Sequence, residues 1–166
     1  MSQASSRRRL SPKPSRERID IRAERPSWAT SAAVRSVMVA NRKKDTRPEL
    51  RLRAALHGLG LRYRVHVKPI PGVVADVVFR PTRVVVFVDG CFWHGCEIHG
   101  TWPAVNSRYW TAKISGNVRR DRRVDEVLVG AGWRPIRVWE HEPASAAARR
   151  IFDVVRPLQR TKPRGL

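Results

Sequence analysis

Nothing in this sequence points to a membrane or to an oxidising compartment. No apolar run approaches the roughly 20 residues that a bilayer-spanning helix needs. The stretch from Met1 to Arg9 lacks the apolar core of a secretory signal. These absences lead us to expect a soluble, cytoplasmic protein. There are two cysteines, Cys91 and Cys96, five positions apart and close to several histidines, a setting that suits a metal site better than a disulfide. Internal repeats are absent. Acidic residues are scarce, 14 Asp and Glu against 34 Lys and Arg in 166 residues, a formal charge of +20. The resulting positive field favours a polyanionic partner, and nucleic acid is the first candidate.

A chain of this length supports one domain with a real core. Residues 1–27 are rich in Ser, Arg and Pro, without a sustained hydrophobic period, and read as a disordered basic tail. We expect one folded unit over 28–157 and a second basic tail over 158–166. A short helix is expected from Trp28 through Met38. Thr46-Arg47-Pro48-Glu49 fits a capping box, and Leu50, Leu52, Ala55, Leu56 and Leu59 supply an apolar face before Gly60 stops the helix. Strands are predicted over Arg62–Lys68, Val73–Phe79 and Arg83–Asp89, divided by Pro71-Gly72 and Pro81-Thr82. The last two are continuous Val-rich runs, suited to central strands covered on both faces. A long helix from about Asn106 to Gly130, a strand Arg134–Trp139 and a helix from Pro143 to Val155 complete an ααβββαβα order, an α/β class.

The segment Cys91-Phe92-Trp93-His94-Gly95-Cys96-Glu97-Ile98-His99 packs two thiols, two imidazoles and two large aromatics into nine residues after an apolar strand. Cys91, Cys96 and His99 have the spacing C-x₄-C-x₂-H. His141, after the last strand, offers a fourth N/S donor of the kind that tetrahedral zinc prefers. A lone cysteine is usually a small core residue, but this grouping favours metal. Asp76 lies inside the apolar run Val73–Phe79, where an unpaired carboxylate is costly; it needs either an Arg partner or a divalent cation. The neighbouring strand brings Asp89 and His94 to the same end of the sheet, which favours a site. Phosphodiester hydrolysis needs a metal to polarise the phosphate, a base, and protection of the leaving oxygen. On the long helix Asn117 and Asp121 are four apart and share a face, with Lys113 and Trp110 pointing roughly the same way.

The residues from Val37 to Glu142 closely resemble the very-short-patch repair (Vsr) endonucleases. The likeness rests on Asp45-Thr46-Arg47-Pro48-Glu49, Pro71-Gly72 to Asp76, Phe87-Val88-Asp89-Gly90-Cys91-Phe92-Trp93-His94, Tyr109-Trp110 with Lys113-Ile114 and Asn117, Arg120-Asp121-Arg122, and Gly132-Trp133 through Val138-Trp139-Glu140. It implies a restriction-endonuclease-like, PD-(D/E)xK-type fold with a central mixed sheet flanked by helices and a structural zinc. The implied activity is Mg²⁺-dependent nicking of the T-containing strand at a T:G mismatch left by deamination of 5-methylcytosine. By the same resemblance, Asp76 is the Mg²⁺ ligand with the backbone of Val88 near the metal, and His94 activates the water. Glu49 and Asp121 order metal-bound waters and His94. Phe92, Trp93 and Trp110 form an aromatic wedge entering the DNA, with Lys113 and Asn117 among its contacts. Cys91, Cys96, His99 and His141 are the zinc set. Mismatch-repair proteins and a cytosine methyltransferase are implied partners, and a monomer suffices for one nick. The chain departs from the family pattern at Val88, where a Thr is usual, in the histidine run after Phe92-Trp93, and at His141, where a cysteine is usual.

Two other readings stay open: a nuclease of the same fold with a different DNA target, and a zinc-stabilised, basic DNA-binding module with no catalysis.

Overall fold

A computed structural model describes residues 44–100, 104 and 106–160. The helix expected over Trp28–Met38, both expected tails beyond residue 160 and before residue 44, and the boundary at residue 28 lie outside the described residues. The elements are α1 (Arg47–Gly58), β1 (Arg64–Ile70), β2 (Val73–Phe79), a single 3₁₀ turn (Arg80–Thr82), β3 (Val84–Asp89), α2 (Ser107–Gly130), β4 (Arg134–Trp139) and α3 (Ala144–Arg160). None of these helices is long and apolar enough to cross a membrane.

The four strands form one mixed sheet in the order β1-β2-β3-β4. β1 pairs antiparallel with β2, and β2 with β3. β3 runs parallel to β4, with Val86 opposite Ile136 and Val88 opposite Val138. The expected central mixed sheet flanked by helices is what the chain forms. The Val-rich β2 and β3 occupy the centre because both of their faces are covered. On one face α1 and α3 pack Leu52, Leu56, Ala147, Ala148, Ile151 and Val155 against Val77, Phe79, Val84, Val86 and Val138. On the other, Leu128 and Val124 of α2 meet Ala75, Val78, Val85 and Phe87.

Several boundaries differ from the sequence reading. β1 starts and ends two residues later than expected, because Tyr63 turns into the core, where its ring meets Phe79 edge-on and its hydroxyl donates to the Arg53 carbonyl (2.7 Å). As an edge strand β1 tolerates Pro69, which has no N–H to pair. β3 begins at Val84, since Arg83 adopts a left-handed φ of 53° to close the 3₁₀ turn. α3 runs on past Val155 to Arg160, with Pro157 in its last turns. Leu50, expected on the apolar face of α1, is 49 % exposed.

The capping box is rearranged. The Thr46 side chain makes no bond to the helix backbone, although the Thr46 carbonyl accepts the Leu50 N–H (3.0 Å). Its hydroxyl donates instead to Glu49 Oε1 (2.9 Å), while Glu49 Oε2 accepts the Asp45 amide (3.1 Å).

Candidate functional site

The pairing of β2 with β3 runs from Phe79 and Val84 to Val77 and Val86. One residue further on, the Val88 amide donates to Asp76 Oδ2 (2.8 Å), so a carboxylate takes a place a strand carbonyl would fill. Asp76 is half-buried, and among the described residues no Arg or Lys forms an ion pair with it. The structural reading in which Asp76 merely pairs with an arginine is therefore set aside. Burial pushes its carboxyl up to about 6; the Val88 N–H opposes this, the Glu49 and Asp89 carboxylates add to it, and His66 opposes it. A half-buried carboxylate whose charged neighbours include two further carboxylates is a place for a cation.

β3 delivers Asp89, and the turn after it delivers His94. His94 Nδ1 lies 2.6 Å from Asp121 Oδ2 and 3.5 Å from Asp89 Oδ1. A carboxylate only accepts, so Nδ1 carries the proton of this contact, and Nε2 is the nitrogen that bears the lone pair in the neutral ring. Asp89 is buried, and that burial raises its carboxyl above the ordinary value, while His94 and Arg137 pull it down and Asp121 adds to the rise. Asp76, Glu49, His94 and Asp121 thus lie around the C-terminal end of β3.

Glu49 is 5 % exposed and engaged on both oxygens within the protein: besides Thr46 and the Asp45 amide, it accepts Arg53 Nη2 (2.7 Å). Arg53 also reaches Asp45 Oδ1 (2.5 Å) and His66 Nε2 (3.0 Å). Arg53 and Asp45's bonds with His66 hold the Asp45 carboxyl below its usual range. The donor atoms of Asp45, Glu49 and His66 lie close enough for a metal, but the Arg53 guanidinium already stands among them as the cation. Sequence reasoning did not single out Arg53 or His66. The left-handed φ of 50° at His66, inside a strand, has no signature in residue type.

Cys91, Cys96, His99 and His141 are brought together as expected, their donor atoms all within 4.8 Å of one another. The Cys91 and Cys96 Sγ atoms lie 3.0 and 3.7 Å from His141 Nδ1. Both thiols are free and buried. Burial and the neighbouring Cys96 push the Cys91 thiol up to about 11. Burial also pushes Cys96 up, but the amides of His99 and Ile98 and the Cys91 thiol outweigh it, and the net direction is down. Two thiols and two imidazoles at this separation suit a closed tetrahedral zinc site. The loop that carries them is held at both ends: Cys91 N–H donates to Glu140 Oε1 (2.6 Å), and Gly100 N–H to the Cys96 carbonyl (2.8 Å). A Cβ on Gly100 would lie 2.3 Å from that carbonyl oxygen, so only glycine fits there.

The aromatics form one cluster, with Phe92 edge-on to Trp93 (5.0 Å) and to Trp110 (5.3 Å). Phe92 and Trp93 are half-buried, but Trp110 is 4 % exposed. The expectation of three exposed aromatics is therefore corrected. Trp110 is the floor under the other two, because α2 turns it inward with Ile114. Lys113 is exposed on α2. Asn117, expected to face the ligand, donates its Nδ2 to the Trp93 carbonyl (2.9 Å) and so fixes the loop from within.

Residues 28–99 match the family described as DNA mismatch endonuclease Vsr. The chain is similar to the type II nicking enzyme V.NaeI of Lentzea aerocolonigenes, 46% identical over 132 residues, which is 74% of this chain and 76% of that one. It is 44% identical to the type II nicking enzyme V.XorIIP of Xanthomonas oryzae pv. oryzae over 116 residues, 69% of this chain and 84% of that one. Over 99 residues, 58% of this chain and 62% of that one, it is 42% identical to the DNA mismatch endonuclease Vsr of Escherichia coli.

Proposed function

Given that the chain belongs to the DNA mismatch endonuclease Vsr family and is a DNA endonuclease, we propose that it nicks the T-containing strand of a T:G mismatch in double-stranded DNA. The reaction is Mg²⁺-dependent phosphodiester hydrolysis on a restriction-endonuclease-like fold, serving very short patch repair of deaminated 5-methylcytosine. The observation that carries this reading is the Asp76 carboxylate, pointed into the fork between β2 and β3 with no Arg or Lys ion-paired to it among the described residues, beside the His94–Asp121 pair. The names of two relatives support cutting of one strand.

Asp76 would hold the Mg²⁺. The carbonyl of Val88 leaves the strand on the same edge as the N–H that Asp76 accepts, which supports its place near the metal. When bound, the metal polarises the phosphate and makes a water easier to deprotonate. His94 takes the proton from the attacking water at Nε2, while Asp121 holds the ring through Nδ1 and stabilises the imidazolium that forms. Glu49 keeps α1 in register with the fork and orders water beside Asp76. Cys91, Cys96, His99 and His141 would hold Zn²⁺, and with it these residues would tie the loop bearing Phe92, Trp93 and His94 to the end of β4. Phe92 and Trp93 enter the duplex at the mismatch, where a distorted pair unstacks at lower cost. Exposed Lys113, Arg119, Arg120, Arg122 and Arg123 along α2 supply phosphate contacts. One such site per chain makes a monomer sufficient, and the DNA product of one nick is a substrate for mismatch-repair proteins.

The test is a strand-resolved nicking assay with Mg²⁺ on two duplexes that differ only in a T:G or a T:A pair. The wild type cuts once beside the mismatched T, and Asp76→Ala does not cut. Equal cutting of both duplexes would assign a broader DNA target, and tight binding without cutting would leave a non-catalytic module.

A further inference from the structure

α2 is 24 residues long and yet buries only Trp110, Ile114 and Leu128. Between Ile114 and Leu128 no residue of the helix is fully buried, although this stretch carries both groups that hold the loop: Asn117 on the Trp93 carbonyl, and one turn later Asp121 on His94 Nδ1. Apolar packing alone therefore leaves the level of Asp121 against His94 loosely set. What meets the helix there is Arg137, near the middle of β4 and opposite Phe87 in the parallel pair, its guanidinium 4.9 Å above the Phe87 ring. Every nitrogen of the guanidinium is engaged. Nη1 donates to both oxygens of Asp89 (3.0 and 2.9 Å), Nε and Nη2 to Asp125 (2.9 and 3.1 Å), and Nη2 also to the backbone carbonyl of Asp121 (3.2 Å). The carboxylates hold Arg137 firmly protonated.

We propose that Arg137 is a positioning residue for the hydrolysis, a clamp that joins the end of β3 to the middle of α2 and thereby holds Asp121 in line with His94. The inference rests on the reading of His94 as the base. A planar fork with five donors can span two carboxylates and a carbonyl at once; an ammonium, a point charge, holds one of them well and the others poorly. The contact of Nη1 with both oxygens of Asp89 fixes the strand end from which the His94 loop departs, and Nε and Nη2 grip Asp125 bidentately. Contact with Asp125 and with the Asp121 carbonyl fixes the helix backbone itself, so the Asp121 side chain starts from a set position. Without the clamp, Asp89 and Asp121 also stand near each other with less compensation, and repulsion drives the helix and the strand apart.

The experiment uses the full chain, with Arg137→Met to remove the fork at similar length, Arg137→Lys as the conservative variant, and Asp121→Asn alone and combined with Arg137→Met. Arg137→Met is expected to lower kcat about 100-fold, the size of effect that a misplacement of about 1 Å produces, with KM for the T:G duplex within about twofold of wild type. Arg137→Lys recovers part of that loss. The double variant is little slower than Asp121→Asn, since both changes weaken the same contact. Independently of cutting, the His94 Nδ1–H proton is followed by NMR in histidine-labelled protein. Its exchange with solvent is slow in the wild type and accelerates in Arg137→Met, as in Asp121→Asn. An unchanged proton signal in folded Arg137→Met overturns the clamp whatever the activity, as do losses that multiply in the double variant. If His94→Ala cuts at the wild-type rate, the assignment of the base fails instead, and the proton signal alone decides Arg137.

Discussion

α3 sets Ala147, Ala148, Ile151 and Val155 against one face of the sheet, each with no exposed surface. α2, a longer helix on the opposite face, meets the sheet through Leu128 and Val124 near its C-terminal end, and through the Arg137 carboxylate cluster further back. The difference separates two tasks. Apolar contact is short-ranged and indifferent to direction, so it holds α3 with few polar atoms to satisfy, whereas α1 on the same face adds the buried Glu49–Arg53 pair to its apolar contacts. Charged hydrogen bonds fix angle and distance, which the α2 face needs because it presents Asp121 and Asn117 to the loop of His94 and Trp93. That geometry costs desolvation, visible in the raised carboxyls of Asp76 and Asp89.

The sharpest break of this contrast is Asp76→Asn, which separates activity from stability in opposite directions. Cutting is expected to fall by at least about 1,000-fold, since an amide neither attracts a cation nor carries its charge. Stability without divalent ions should rise. With the folded carboxyl at about 6 against an ordinary 3.8, the folded chain binds this proton more tightly than the unfolded chain. The contribution present below about pH 4 is therefore lost as pH climbs to about 6, on the order of 3 kcal/mol by linkage. At pH 7.5 the wild type bears that cost and the Asn variant does not, while Asn can still accept the Val88 N–H. Melting curves at pH 7.5 and pH 4.5 check it: the variant melts higher at the upper pH, and the gap closes at the lower. Mg²⁺ raises the Tm of the wild type alone.

Ile151→Ala addresses the other face. Its side chain is wholly buried between α3 and the sheet, and truncation should cost about 2–5 kcal/mol. The rate of nicking per folded molecule should stay within about twofold, because no residue around His94 rests on Ile151. Denaturant unfolding together with active-site titration measures both. A large loss of rate in the folded fraction would mean that the two faces are coupled, against the division of labour drawn here.

The stable face was the more legible in the sequence. Val-rich runs at 73–79 and 83–89 marked both central strands, the second beginning one residue early, and the apolar positions of α1 marked most of its packing face, because burial imposes a period that residue types carry. Leu50 misled, since its place in a helical pattern says nothing about how far the partner surface extends. At the site, Asp76 stood out as a charge in an apolar strand, and Cys91, Cys96, His99 and His141 as soft donors at metal spacing. Arg137 carried the same signal as Asp76, a charge in the strand Arg134–Trp139, but among 34 basic residues a single arginine draws no notice. The inward turn of Trp110 and the engagement of Asn117 by the Trp93 carbonyl depend on how a long helix is rotated against a loop. No local pattern encodes that rotation.

The smallest effect is expected at the tip of the polar face. Trp93 is half-buried, with its ring against Phe92 and 6.1 Å from Trp110, and its backbone carbonyl, rather than its ring, is what Asn117 holds. Trp93→Ala therefore keeps the loop's anchor and removes only a surface for stacking on a base. Such stacking contributes about 1–3 kcal/mol, so the preference for T:G over T:A should drop about tenfold or more, while salt-dependent affinity for matched DNA stays the same, since it comes from the basic residues of α2. Competition nicking assays on the two duplexes, with binding measured at two salt concentrations, separate these terms. If the preference survives intact, discrimination lies with groups that α2 carries. If binding to matched DNA also collapses, Trp93 supports the loop's fold as Trp110 does, and the aromatic cluster belongs with the packed face rather than the working one.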